Sequence, residues 1–281
     1  MFLFEFDNIF FIYHILKMKI TSWNVNGLRS PSMCVYDKNT KQFNKECNLY
    51  KLVNQYDPDI ICFGETKCQI KNQETYSELL PFKYSCWNSS VKKLGYSGVS
   101  IHSKYPFKNL GGIPGLQEDE FGRHLLVEFD NFILCNVYAP NSGGDKDEYR
   151  RDYWDVNIHN FLKTKYDKPL IYCGDLNIVH TNDDIYDITP LKLGKSPGTK
   201  SYERTNFKKL IDLGYYDAHR YLFPVAKLWT WWDVRSRARL QDKGWRLDYF
   251  LVSDKNIIKD GVIHKDIYGS DHCPISLELK I

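Results

Sequence analysis

No C-x-x-C pair occurs in these 281 residues, and no Cys/His spacing suited to zinc, although there are eight cysteines. Cys62, Cys135 and Cys173 fall inside apolar stretches, where a free thiol behaves as a small hydrophobic group. Scattered cysteines with no pairing pattern point to an intracellular, reducing compartment. The chain opens with neither a basic secretory leader and small-residue cleavage site nor an Arg-rich, acid-poor presequence. Residues 1–17, MFLFEFDNIFFIYHILK, are apolar but carry Glu5 and Asp7. They are too short and too interrupted to span a membrane, and they are set apart as an N-terminal extension with no assigned role. There is no repeat, low-complexity run or linker, so residues 18–281 are expected to form a single domain. Excess charge is also missing. With 38 Lys and Arg against 35 Asp and Glu, the net charge is +3, so a polyanionic partner would have to be held by a local patch.

What the chain does have is a recurring design: a short apolar strand ending in polar groups. PLIYCGDLNIV runs from an apolar strand into Asp175-Leu176-Asn177. Asp and Asn at a strand end read first as turn formers, but this end has company. KITSW leads into Asn24-Val25-Asn26, DIICFG into Glu65-Thr66-Lys67, and FILCNV into Tyr138-Ala139-Pro140-Asn141. RLDYFLV carries Asp248, and HCPISLEL follows Ser270-Asp271-His272. Helical spacing lies between them. Asn44–Tyr56 aligns Leu49, Leu52, Val53 and Tyr56. Asp147–Lys163 aligns Tyr149, Tyr153, Val156, Asn160 and Phe161. Ser201–Leu213 aligns Phe207, Leu210 and Ile211, with Gly214 placed to cap it. Strands alternating with helices predict a layered α/β domain, and some links are too short for a crossover helix, which predicts antiparallel neighbours.

The polar ends supply oxygen donors suited to a hard cation such as Mg²⁺, together with a tunable acid–base group in His272 and an orienting partner for it in Asp248. They lack the thiolates and histidine clusters that favour zinc. That set fits phosphoryl chemistry, in which a metal offsets oxyanion charge and a side chain orients the attacking water. Four of the seven Trp lie between Trp229 and Trp245, interleaved with Arg235, Arg237, Arg239 and Lys243. Aromatic and basic residues mixed in this way suit a nucleic-acid strand held by its phosphates.

TSWNVNGLRS, GETK, GYSGVSI, NVYAPNSG, YCGDLN, GWRLDYFLVS and GSDHCPI together resemble the exonuclease III type of apurinic/apyrimidinic (AP) endonuclease, in that family's order and from Met18 to the C-terminus. GDLN and SDH alone would indicate only the wider endonuclease/exonuclease/phosphatase superfamily. The resemblance implies a four-layer α/β sandwich, two mixed β-sheets packed face to face with helices on both outer sides. It implies Mg²⁺-dependent cleavage of double-stranded DNA 5′ to an abasic site in base excision repair, with some 3′–5′ exonuclease or 3′-phosphodiesterase activity. Mn²⁺ would substitute, and one or two ions would act. By the resemblance, Glu65 is the main metal ligand, with Asn24 and Asp271 near the ion and Asn26 in its metal or phosphate shell. Asp175 orients or activates water, and Asn177 holds water or phosphate. Tyr138 bonds the scissile phosphate, and His272, held by Asp248, stabilises its charge. Whether Asp175 or His272 is the base stays open. Lys67, Asn141, Trp231, Trp245, Arg235 and Arg239 would line the DNA and abasic pocket. A monomer working in the nucleus or cytoplasm, or on a nucleoid, is expected. Another phosphoesterase of the superfamily and a catalytically degenerate DNA-binding protein are the alternatives. Asn26 stands where some relatives carry Asp, SGGDKDEY is short, and KLGKSPGTK replaces a stretch that is Asn-rich elsewhere.

Overall fold

Apolar residues recur on both faces of the central strands, which means that both faces are covered. In the computed structural model, which describes residues 17–30, 33, 36, 37 and 39–281, that covering is helix on one side and a second sheet on the other. In chain order the strands are β1 (Lys17–Asn24), β2 (Tyr36–Asp37), β3 (Gln42–Phe43), β4 (Ile60–Gly64), β5 (Tyr84–Asn88), β6 (Val99–Ser103), β7 (Lys108–Gly111), β8 (His124–Glu128), β9 (Ile133–Tyr138), β10 (Leu170–Asp175), β11 (Tyr216–Asp217), β12 (Asp248–Val252), β13 (Ile258–Ile263) and β14 (Ile275–Lys280). The helices are α1 (Asn48–Tyr56), α2 (Gln73–Leu79), α3 (Lys146–Glu148), α4 (Asp155–Lys163), α5 (Thr189–Leu193), α6 (Ser201–Asp212) and α7 (Ala218–Leu222). One six-stranded sheet has the order β13-β14-β1-β4-β6-β5 and the other β11-β12-β10-β9-β8-β7. Both are mixed. The β1–β4 and β9–β10 pairs are parallel, and the remaining pairs are antiparallel.

The two-residue period of a strand sorts its side chains between layers. Cys62, Cys173 and Phe250 point into the inter-sheet core with Ile20, Ile101 and Leu134. Their neighbours point outward. Ile61 and Phe63 pack with Leu49 and Leu52 of α1 and Tyr76 of α2. Tyr172 and Leu251 pack with Ile158 and Phe161 of α4 and Phe207 and Leu210 of α6. The result is the expected four-layer α/β sandwich. Among the described residues, Cys62, Cys68, Cys86, Cys135, Cys173 and Cys273 are buried and form no disulfide, and no helix is long and apolar enough to cross a membrane. Residues 1–16 of the N-terminal extension lie outside the described residues. Lys17 is the first residue of β1 and pairs with Lys280 of β14.

One helix departs from the spacing. Between α3 and α4 the chain makes a π-helical turn, Tyr149–Trp154. Its wider turn shifts everything after it around the helix axis. Val156 and Asn160, expected on the buried face, are exposed, and Trp154, Ile158, Phe161 and Leu162 are buried instead.

Parallel β9 and β10 approach so closely that Gly174, at φ +130°, could not carry a Cβ; it would lie 1.9 Å from the carbonyl oxygen of Val137. This glycine lets Asp175 finish its strand in register with Tyr138 on one side and Asp248 on the other.

Beside that edge lies a buried ion network. Arg246 is fully buried and donates to Asp184 at 2.7 Å and to both oxygens of Asp217 at 2.9 and 2.6 Å. Arg220 reaches the same Asp184 oxygen. Burial would raise the Asp184 carboxyl, but the two guanidinium groups outweigh it and hold it at about 2. Its contribution is therefore fully present above the ordinary carboxylate range and is lost as pH falls through about 2. Arg246→Met keeps the volume but strips the buried Asp217 carboxylate of its guanidinium and leaves Asp184 to Arg220, so it should lower the unfolding free energy by about 3–5 kcal/mol. Urea denaturation at neutral pH measures this, and an unchanged midpoint would contradict it.

Candidate active site

The register brings the polar strand ends to one edge. β1 and β4 end together, Asn24 beside Gly64, so Glu65 follows at once. Tyr138, Asp175 and Asp248 sit side by side across β9, β10 and β12. β14 runs antiparallel to β1, and its approach segment returns Asp271 and His272 to the same edge.

The segments share a local device. The side-chain oxygen of Asn24 accepts the N–H of Asn26 at 3.0 Å, and that of Asp175 accepts the N–H of Asn177 at 2.9 Å. The hydroxyl of Ser270 accepts the N–H of His272 at 3.2 Å. Each is a tight turn closed by its own first side chain. Asn26, Asn177, Glu65 and Lys67 have φ between 48° and 51°, a left-handed backbone that costs roughly 1–3 kcal/mol at a non-glycine residue and persists only where the surroundings enforce it. The turn reading and the site reading of GDLN are thus the same fact: the turn aims the side chains.

Asn24 donates to Asp175 at 2.9 Å across the two sheets. The amide of Asn177 donates to the Ala139 carbonyl at 2.9 Å and lies 3.4 Å from Asp175. His272 Nδ1 is 2.7 Å from one oxygen of Asp248, and His272 Nε2 is 3.7 Å from Asp175. Asp271 accepts from Asn26 at 3.0 Å and from the Trp231 indole at 3.0 Å. The Lys67 ammonium donates to Asn26 and lies 3.1 Å from Glu65, which links Glu65 to Asp271 through Lys67 and Asn26. A cavity of about 310 Å³ opens onto these groups, lined also by Tyr138, Asn141, Trp231 and Trp245.

Burial raises the Asp175 carboxyl to about 7, with Asp248 adding to the rise and His272 opposing it. Burial works against a charged His272, but the Asp248 and Asp175 carboxylates overcome it and raise the ring to about 10. Burial, then Glu65 and Asp175, push the Tyr138 phenol well above its ordinary range, so it remains a donor. Asp271 is held low despite burial, chiefly by His272 and the Trp231 indole. The site can hold a cation, orient a water on a carboxylate, and present an imidazolium and a phenol to an anion.

Not every expected residue arrives. Trp231 and Trp245 meet edge to face, 5.4 Å between centroids, at the cavity wall. Trp229 and Trp232 are core residues. Arg239 donates to the carbonyls of Ser270, Lys265 and Ile267 at 3.2, 2.9 and 2.7 Å and stacks on Trp232 and Tyr268. Its guanidinium braces the Asp271 loop, and Arg239 is not among the residues that line the cavity. Arg235 is exposed. Two features went unforeseen. Ser196-Pro197-Gly198 forms a cavity wall, held where the Val179 N–H meets the Gly198 carbonyl at 2.8 Å; only its Pro-Gly turn signal could have marked it. Arg123 lies over the Tyr138 ring at 5.1 Å.

The Asp248–His272 contact carries its own test. In metal-free protein the His272 ring should remain charged at pH 8, and Asp248→Asn should move its titration down toward the ordinary histidine range. Ring ¹⁵N chemical shifts against pH read this directly. A titration unmoved by the substitution would contradict it.

Comparisons with known proteins bear on the same residues. The model of the Endonuclease/Exonuclease/phosphatase family matches residues 21–272, from β1 through His272. An exodeoxyribonuclease of Bacillus subtilis (strain 168) is 35% identical over 271 residues, covering 94% of this chain and all of that protein. The DNA repair nuclease APEX1 of Danio rerio is 37% identical over 273 residues, covering 94% of this chain and 83% of that one. The crystal structure of an AP endonuclease from Leishmania major has the same fold, with TM-score 0.79 at 24% identity over 94% of this chain and 88% of that one. A match that spans both sheets and every strand end of the site leaves one conclusion: the chain belongs to the Endonuclease/Exonuclease/phosphatase family.

Proposed function

We propose that this protein is a metal-dependent DNA repair nuclease that hydrolyses the phosphodiester 5′ to an abasic site in duplex DNA and leaves a 3′-hydroxyl. One observation carries the reading. A buried carboxylate, a carboxylate-backed histidine and a protonated tyrosine converge on a cavity whose far wall is two tryptophans. Relatives named exodeoxyribonuclease and DNA repair nuclease support it, as does a Neisseria 3′ phosphatase bound to product DNA, 26% identical over 94% of this chain with TM-score 0.78. The protein would act as a monomer wherever its DNA is, in a nucleus or nucleoid.

The donor set fits a hard divalent cation. The Lys67 ammonium already sits against Glu65 and Asn26, so a cation is welcome between those oxygens. Ligand atoms of Asp175, Asp248 and His272 also lie within 4.8 Å of one another. His272 Nδ1 and one Asp248 oxygen are, however, spent on each other. Glu65, with Asn24 and Asp271 nearby, is therefore the preferred holder of Mg²⁺. When bound, the ion supplies positive charge against the phosphate oxygens.

The protein's own groups divide the rest. Two carboxylates flank the His272 ring and favour imidazolium, which cannot accept a proton but can donate one from Nε2 to a phosphate oxygen that gains charge. Asp175 is then left to orient the attacking water and take its proton, while Asn177 steers that water and the Tyr138 hydroxyl donates to the phosphate. Water adds at phosphorus as its proton passes to Asp175, the bond from phosphorus to the 3′-oxygen breaks, and that oxygen takes a proton from solvent water to leave as a 3′-hydroxyl. Trp231 and Trp245 enclose a sugar without a base and exclude an intact nucleotide by size.

The decisive experiment incubates labelled duplex carrying an abasic analogue, with Mg²⁺ or with EDTA, and identifies the end groups. The expected outcome is one cut 5′ to the analogue, a 3′-hydroxyl, and no cut in EDTA. Turnover of an inositol phosphate in place of the duplex would overturn the reading. Asp175→Asn should lower kcat about 10²–10⁴-fold with DNA binding retained. Trp245→Ala should narrow the preference for abasic over undamaged duplex, measured as a ratio of kcat/KM, and an unchanged ratio would move the selecting pocket elsewhere.

A further inference from the structure

Behind the site lies a guanidinium that the chemistry above does not use. Arg150 is 4% exposed. Its Nη1 donates to the carbonyl of Pro140 at 2.7 Å and its Nη2 to the carbonyl of Leu176 at 2.9 Å. Pro140 lies between Tyr138 and Asn141, and Leu176 between Asp175 and Asn177. The third corner, Nε, donates to Asp155 at 2.6 Å, and the other oxygen of Asp155 accepts from Asn206 of α6 at 3.1 Å. One planar group therefore fastens the loop after β9, the loop after β10 and the outer helical layer. Only two other hydrogen bonds among the described residues tie these loops directly: Ala139 N–H to the Asp175 carbonyl and the Asn177 amide to the Ala139 carbonyl, each 2.9 Å.

The π-helical turn explains how Arg150 gets there. On an α-helix, residues five apart are rotated about 140° from one another, at about 100° per residue. The Asp155 N–H instead bonds the Arg150 carbonyl, a five-residue step, which brings the two onto one face and lets their side chains pair. The turn costs regular helix geometry, and such turns occur often at functional sites.

We propose that Arg150 is a positioning residue. By bridging the carbonyls of Pro140 and Leu176, just beyond the ends of β9 and β10, it holds the end of β9 with Tyr138 and the end of β10 with Asp175 and Asn177 at the separation that hydrolysis needs. This rests on the nuclease reading above. A lysine keeps the charge against Asp155 but is a point donor on a flexible stem and cannot span two carbonyls. The test compares full-length wild type, Arg150→Lys and Arg150→Ala on abasic duplex, with kcat, KM and urea midpoints measured together. Displacements of about 1 Å can cost about 10²-fold in rate, so Arg150→Lys should lose about 10–100-fold in kcat with KM within about twofold. Its kcat per folded molecule should fall even where its urea midpoint matches wild type. Guanidinium ion added at millimolar concentration should restore part of the Arg150→Ala rate and leave wild type unchanged. If Arg150→Ala does not fold, Arg150→Lys carries the test. Wild-type kcat per folded molecule in the variants, with wild type active, overturns the inference alone. A wild-type chain that leaves abasic duplex intact overturns the nuclease reading and this inference with it.

Discussion

The hydrogen bond from Asn24 to Asp175 joins the two sheets at the edge where the chemistry sits. Asn24 ends β1 at the centre of one sheet, and Asp175 ends β10 at the centre of the other. If the sheets slid against each other, this contact would be lost, and with it the alignment of Glu65, Asp271 and His272 on one side with Tyr138, Asp175 and Asp248 on the other. The inter-sheet core prevents that slide because interiors pack at crystal-like density and resist small displacements. Rigidity and the candidate site meet in a single side-chain pair, and both of its members are almost fully buried.

Charge is handled in two ways on either side of this edge. The Arg246 network is closed: Arg246, Asp184 and Asp217 satisfy one another and fix the segment that leads from Trp245 to Asp248. The site network is left open. One oxygen of Asp248 is buried with no hydrogen-bond partner among the described residues, and three acidic side chains surround His272. An array this rich in negative charge is unfavourable without a cation.

The reading from sequence went furthest where one residue type has one use. Strand ends carrying Asn24, Glu65, Tyr138, Asp175, Asp248 and His272 were legible because apolar period-two runs stop there, and the register then brings them together. Helices α1 and α6 were legible by spacing, although α1 starts at Asn48 and not at Asn44. The helix from Asp147 was misread because a single π turn changes the phase, and nothing in YRRDYW announces an extra residue per turn. Arg239 and Arg150 defeat sequence reasoning for the same reason. A basic residue among aromatics looks like a nucleic-acid contact, and a basic residue in an amphipathic helix looks like a solvated face. Backbone carbonyls claim both, and carbonyls leave no mark in a sequence. The tryptophan cluster was half legible. Composition marked the group, but only tertiary packing separates Trp231 and Trp245 at the cavity from Trp229 and Trp232 in the core.

The pairing of β1 with β14 has a bearing on how the protein is made. β1 is the earliest strand in the described chain and β14 the last, yet they are neighbours in the middle of one sheet, with Lys17 opposite Lys280. Contacts so distant in sequence form late, because the intervening chain must be ordered before they repay its entropy. As the polypeptide emerges N-terminus first, the sheet must wait, with β1 paired only to β4, until the final strand leaves the ribosome. The same strand brings Asp271 and His272 to the edge. A chain that has not yet reached β14 therefore lacks a histidine and one of the acids of the candidate site.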